Sequence, residues 1–165
     1  MVVVVVGGGN SGVQLARELS ESHSVTLATR TPRRHRLVMS YPAAAGETVS
    51  LLSRRRRREP VFGEGYEQLR RAGVTIRPAV VGADGPELTF ADGTSATPGA
   101  VILATGYTPG DEWLPDEART PPPRRTTTGL PGLFVAGMPQ YSVRGVDTIA
   151  GVWRDATTIA HHIVN

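Results

Sequence analysis

The chain has 165 residues and a net charge of +3, and all 18 of its basic residues are arginine. That length suits one domain with a real core. The absence of cysteine and lysine excludes disulfides, thiolate metal sites, cysteine nucleophiles, a lysine Schiff base and a P-loop lysine.

In chain order, Val2 to Val6 form a β-branched run too short to cross a membrane and suited to a strand buried on both faces. Gly7, Gly9 and Gly12 follow in the pattern G-x-G-x-x-G, and Val13, Leu15, Ala16 and Leu19 then give a helical apolar stripe. Strand, glycine turn and helix in that order are the context of a dinucleotide-binding unit. Gly7 permits the tight turn, Gly9 lets the backbone approach a pyrophosphate, and Gly12 lets the helix pack closely on the strand. The amides of Asn10, Ser11 and Gly12 would then face the phosphates, with the helix dipole favouring their charge. Met1 enters the first strand without a basic leader, and no run reaches the length of a membrane span, so a cytoplasmic protein with no membrane partner is expected.

The first helix is predicted to end near Glu21-Ser22-His23, and Ser24 to Thr29 read as a second parallel strand. At the end of that strand a Rossmann unit for NAD carries a carboxylate for the ribose 2′-hydroxyl. Thr29-Arg30-Thr31-Pro32-Arg33-Arg34 stands there instead, and its guanidiniums suit a 2′-phosphate. NADP is therefore the expected cofactor, with Thr29, Arg30 and Arg33 at its adenosine end. Tyr41 to Gly46 read as a loop, and Val49 to Arg58 as a short helix with an arginine-rich face. Gly65 to Gly73 is a helix stopped by glycine, and Val74 to Arg77 a third strand. Ala79-Val80-Val81 and Glu87 to Phe90 flank turn residues and predict a hairpin or meander. Ala100 to Ala104 is a buried strand, residues 108 to 131 an extended excursion, and Leu133 to Gly137 a last short strand. From Asp147 to Ile163, the residues Ile149, Val152, Trp153, Ala156, Ile159, Ala160 and Ile163 form one helical stripe.

Arg54 to Arg58 and the cluster Arg33, Arg34 and Arg36 lack the interleaved aromatics that stack on nucleobases, so nucleic acid is not expected as a partner. His23, His35, His161 and His162 have no carboxylate at ligand spacing, so no metal centre is expected.

Taken together, these segments resemble the NADP-domain half of the flavin-containing monooxygenases and related flavoproteins with two dinucleotide domains. Val6 to Gly12 is similar to the family's NADP glycine motif, and the basic end of strand two to its 2′-phosphate site. Phe90-Ala91-Asp92-Gly93 and Ile102 to Tyr107 resemble the segments that close that domain, including its A-T-G-Y hinge, which places Thr105 and Gly106 at the cofactor. Gly132 to Gly137 and Gly151 to Ala156 resemble the return to the FAD domain. The resemblance implies an α/β fold: a Rossmann-like parallel sheet with helices on both faces, a small β-meander and a C-terminal strand–helix return. Residues 1–107 would be the NADP-binding domain, and 108–165 the excursion and C-terminal segment. The family's FAD glycine motif and its F-x-G-x-x-x-H fingerprint lie upstream of the NADP motif, and neither occurs in this chain. FAD is then expected only where another chain completes its site, and the catalytic residues are unknown.

In the family the segment 132–163 packs on the FAD domain. Burying about five large side chains contributes on the order of 10 kcal/mol, so this segment is expected to fold back, to pair in a homodimer or to meet a separate FAD-domain chain. The functions implied are an NADP(H)-binding oxidoreductase module, a repurposed cofactor-independent cyclase, isomerase or dehydratase acting on a small biosynthetic intermediate, or a non-enzymatic or degenerate NADP binder. For the second, Tyr107, Arg144, Asp147 and Asp155 are candidate polar groups. Each also has a plain structural reading: hinge packing for Tyr107, an N-cap for Asp147, surface charge for Arg144 and Asp155.

Overall fold

The computed structural model describes residues 1–36, 61–108, 110–119, 126–142, 146 and 151–164. The loop expected at Tyr41 to Gly46, the helix expected at Val49 to Arg58, and Arg144, Asp147 and Ile149 lie outside the described residues. The described residues fall into two compact units, 1–36 with 61–107, and the remainder from 108 onward.

The first unit is built on β1 (Val2–Val6), which hydrogen-bonds in parallel to β2 (Ser24–Ala28) on one side. The short strands β3 (His35–Arg36) and β4 (Val61–Phe62) pair with each other, and α2 (Tyr66–Arg71) leads into β5 (Thr75–Arg77), the parallel neighbour of β2. An antiparallel meander follows, of β6 (Val80–Asp84), β7 (Glu87–Phe90) and β8 (Ser95–Ala96). β9 (Ala100–Leu103) then returns to the free side of β1, giving the parallel order β5-β2-β1-β9. α1 (Asn10–Leu19) makes the crossover from β1 to β2 and ends a little before the predicted stop.

The period of two along a strand explains why the middle of β1 is apolar at successive positions. Val3 and Val5, with Val25 and Leu27, pack against Val13 and Ala16 of α1 and Tyr66 and Leu69 of α2. Val4 and Ala28 point the other way and pack against Leu88 and Phe90 of the meander. Val3, Val4 and Val5 are at most 2% exposed, and burying each contributes about 1.5–3 kcal/mol. The expected Rossmann-like parallel sheet with helices and a small meander is present: within this unit α1 and α2 pack on one face of the sheet and the meander packs on the other. The reason is the alternation of buried Leu88 and Phe90 with exposed Glu87 and Thr89, which gives the meander an apolar face of its own.

The second unit has a small core of Leu114, Ala118, Val135 and Tyr141, supplied by α3 (Asp116–Arg119) and the residues just before it, a 3-10 turn at Pro139–Tyr141 and the stretch around Val135. The strand expected at Leu133 to Gly137 reduces to a single antiparallel bridge, Thr127 to Phe134. Gly132 at φ +77° and Gly137 at φ +73° bracket this stretch with left-handed backbone and leave no room for a longer ladder. α4 (Val152–Val164) starts later than the predicted segment. Its apolar stripe stays outside: Val152, Trp153 and Ile163 are exposed, and the residue it buries is Asp155.

Candidate nucleotide-binding site

The carboxyl ends of the parallel strands carry the residues singled out by the sequence. Gly7 leaves β1 at φ +126° and donates its N–H to the Ala28 carbonyl at 2.8 Å. A Cβ on Gly7 would stand 2.5 Å from the Ala104 carbonyl carbon, so only glycine lets this turn run against the end of β9. A Cβ on Gly12 would stand 2.9 Å from the Gly7 carbonyl carbon, which makes Gly12 the point of closest approach between α1 and the turn. Gly9 is the N-cap of α1 and offers no side-chain cap. The amides of the first helical turn have no carbonyl one turn back to pair with, and they face the same end as the positive pole of the helix.

Ser11 is exposed, whereas the Asn10 side chain turns to the protein: its Oδ1 accepts the Phe62 N–H at 2.8 Å and ties α1 to β4. At the end of β2, Thr29 is buried, and its hydroxyl donates to the Thr31 carbonyl at 3.3 Å, shaping the loop that presents Arg30 and Arg33. Arg30 is exposed. The Arg33 guanidinium lies over Gly9, its Nη1 3.4 Å from where a Cβ on that glycine would stand. Thr105 and Gly106 follow β9, both exposed, with Gly106 at φ +108°. The structure thus gathers Gly7, Gly9, Asn10, Gly12, Thr29 and Arg33 at one end of the sheet, with Arg30, Thr105 and Gly106 on its rim.

One residue at this site gave no signal in the sequence. Tyr66, at the start of α2, is 7% exposed and donates its hydroxyl hydrogen to the Gly8 carbonyl at 2.6 Å. The same hydroxyl accepts the Arg33 backbone N–H at 3.2 Å. Arg77, at the end of β5, is held elsewhere: it donates to the Thr94 hydroxyl at 2.7 Å, lies 3.7 Å from Asp92 and covers the Phe90 ring. The Thr94 hydroxyl and amide, helped by Arg77, hold the Asp92 carboxyl below its ordinary pKa.

Two of the candidate catalytic groups are corrected. Tyr107 is 97% exposed and packs no hinge. Asp155 is fully buried rather than a surface charge, accepting the Gly137 N–H at 3.0 Å and the Ser142 hydroxyl at 2.5 Å. Both bonds satisfy a buried carboxylate as a structural anchor. A groove of about 350 Å³ runs along α1, but its lining includes Glu18, Glu21 and Glu64, a poor surface for an anion. No cluster of metal-ligating side chains is present among the described residues, and no described helix is long and apolar enough to cross a membrane.

The site residues fit a nucleotide: a turn closed to any Cβ and a helix start without a cap suit its pyrophosphate, and the Arg33 guanidinium beside them suits a further phosphate. Comparison with known proteins agrees at the level of fold. The chain is 29% identical to an oxidoreductase described as CzcO-like from Geobacillus kaustophilus, over 99% of this chain and 52% of that protein. It is 26% identical to the oxidoreductase CzcO of Bacillus subtilis, over 95% of this chain and 51% of that one. A flavin-containing monooxygenase from Stenotrophomonas maltophilia superposes with a TM-score of 0.70 at 22% identity, over 99% of this chain and 49% of the other. In fold, this chain resembles one half of that flavin-containing monooxygenase. LpdA of Mycobacterium tuberculosis shares the fold at a TM-score of 0.58 and 17% identity, over 99% of this chain and 35% of its own. No family model matches the sequence. The chain spans about half the length of the curated relatives it matches.

Proposed function

We propose that this chain is the NADP(H)-binding module of a flavin-monooxygenase-like oxidoreductase. The observation that carries the reading is the convergence at Gly9: an uncapped helix start after β1 beneath the Arg33 guanidinium, beside the end of β2, whose carboxylate position is occupied by Thr29-Arg30. The backbone of Gly7 to Gly12 would hold the pyrophosphate. Arg30 and Arg33 would hold the 2′-phosphate end by charge-assisted bonds, a selectivity for NADP over NAD. Thr105 and Gly106 would line the side of the cleft at β9. When bound, the nicotinamide supplies a hydride, and this chain's part is to bind and orient the nucleotide.

The reading extends to the exposed stripe on α4. Trp153 at 58% exposure and Ile163 at 68% are large apolar surfaces to leave in water. A second copy of the chain covers them, and a separate FAD-domain chain is the other partner that the half-length resemblance supports. A native mass spectrum of the protein incubated with NADPH tests both parts. The expected species is a dimer carrying NADPH, or a complex with an FAD-bearing chain when one is supplied. A bare monomer at high concentration, with no retained nucleotide, would overturn the reading.

A further inference from the structure

We infer that the Tyr66 hydroxyl is a positioning group that couples the glycine turn to the arginine loop and so sets how strongly this site prefers a 2′-phosphorylated nucleotide. The inference rests on the NADP(H)-binding reading above. Three segments far apart in sequence meet at this one oxygen. It donates to the Gly8 carbonyl and accepts from the Arg33 amide, so its donor and one acceptor site are both used. The ring that carries it is packed in the core with Val13, Leu27 and Leu69, which fixes the oxygen in space.

Two consequences follow for a ligand. In a trans peptide the Gly8 carbonyl and the Gly9 N–H point in opposite directions, and no peptide among the described residues is cis. Holding the Gly8 oxygen toward Tyr66 therefore aims the Gly9 N–H away from the core, where a pyrophosphate would approach. Holding the Arg33 backbone places that residue's guanidinium above the same glycine. Tyr66 touches no ligand atom in this account. It orders a donor that any dinucleotide uses and a loop that only the 2′-phosphate uses.

Tyr66→Phe removes the oxygen and keeps the ring. Affinities for NADPH and NADH are measured by calorimetry on both proteins, alongside amide NMR and a thermal melt by circular dichroism. On the scale of one lost hydrogen bond for NADH and two for NADPH, NADH binding falls about threefold and NADPH binding about tenfold. The preference for NADPH thus narrows, which a general loss of stability would not produce. In the ligand-free protein the Gly9 and Arg33 amide resonances move in Y66F. Should Y66F fail to fold, the wild-type amides decide: those of Gly9 and Arg33 must be among the resonances most shifted by NADPH. An unchanged NADPH-to-NADH ratio in folded Y66F, or Gly9 and Arg33 amides indifferent to NADPH, overturns the role of Tyr66 and leaves nucleotide binding standing. A wild-type protein that binds neither nucleotide overturns both.

Discussion

Replacing Gly12 by alanine sets two opposing effects against each other. In an ordinary helix the change is favourable by roughly 1 kcal/mol, because alanine is the better helix former. Here the added methyl would stand 2.9 Å from the Gly7 carbonyl carbon and nearer still to its oxygen, where ordinary contact begins at 3.4 Å. Neither partner is a flexible side chain, so α1 must retreat by at least half an ångström from β1. Val13 and Ala16, at 1% and 0% exposure, would lose their fit against Val3 and Val5. Overpacking of this kind costs about 1–3 kcal/mol and often more where backbone must move. Because the Gly7 carbonyl oxygen is the nearest atom and is backbone, the cost lies at about 2–3 kcal/mol, leaving a net loss of about 1–2 kcal/mol and a melting temperature lower by about 2–8 °C. Both tryptophans, Trp113 and Trp153, belong to the second unit, so the melt is followed by far-ultraviolet circular dichroism or calorimetry rather than tryptophan emission. The retreat also moves the helix-start amides off the phosphates, and NADPH affinity falls at least about tenfold. A G12A protein as stable as wild type, with unchanged NADPH affinity, would refute the packing argument.

Arg30→Ala should weaken NADPH binding by roughly 1.5–3 kcal/mol while sparing NADH, on the scale of lost charged hydrogen bonds; an equal loss for both in calorimetry defeats the 2′-phosphate assignment. Asp155→Ala leaves the Gly137 amide and the Ser142 hydroxyl without this acceptor, and should destabilise the second unit by about 1–3 kcal/mol, read by urea titration of tryptophan emission. A midpoint equal to wild type would show that the anchor is idle. Burial, reinforced by the Asp111 carboxylate that accepts the Tyr141 hydroxyl at 3.0 Å, raises the Tyr141 pKa above its ordinary value of 10.0. The folded state then holds that proton more tightly than the unfolded one, so this contribution is full below pH 10 and is lost as pH rises through the raised pKa. Stability measured from pH 9 upward should fall less steeply in Tyr141→Phe than in wild type, and identical slopes would contradict the assignment.

The parts legible in sequence were those where residue type dictates backbone geometry. Five successive valines suit a strand buried on both faces, and Gly7 and Gly12 stand where a Cβ would meet backbone. The meander was legible from its turn residues, with Gly85 at φ +53° and Gly93 at φ +81° making turns that ordinary residues resist. What covers each face of the sheet was not legible, because the contact of Phe90 with Val4 is a long-range outcome with no local pattern. Tyr66 was invisible for the same reason, since 58 positions separate it from Gly8. The last helix was legible only in part: its apolar stripe is exposed in the single chain, where a partner is proposed to cover it, but the burial of Asp155 had no signal in sequence, because the backbone amide of Gly137 and the hydroxyl of Ser142 that receive its carboxylate are distant in the chain.

Isothermal calorimetry of the purified chain with NADPH and, separately, NADH decides whether this is an NADP(H) site. One NADPH per chain is expected, with an affinity of about micromolar order, and NADH at least about tenfold weaker, the scale of a lost charge-assisted contact to the 2′-phosphate. Equal affinity for the two nucleotides would contradict the role given to Arg30 and Arg33. No heat with either would contradict the nucleotide site itself.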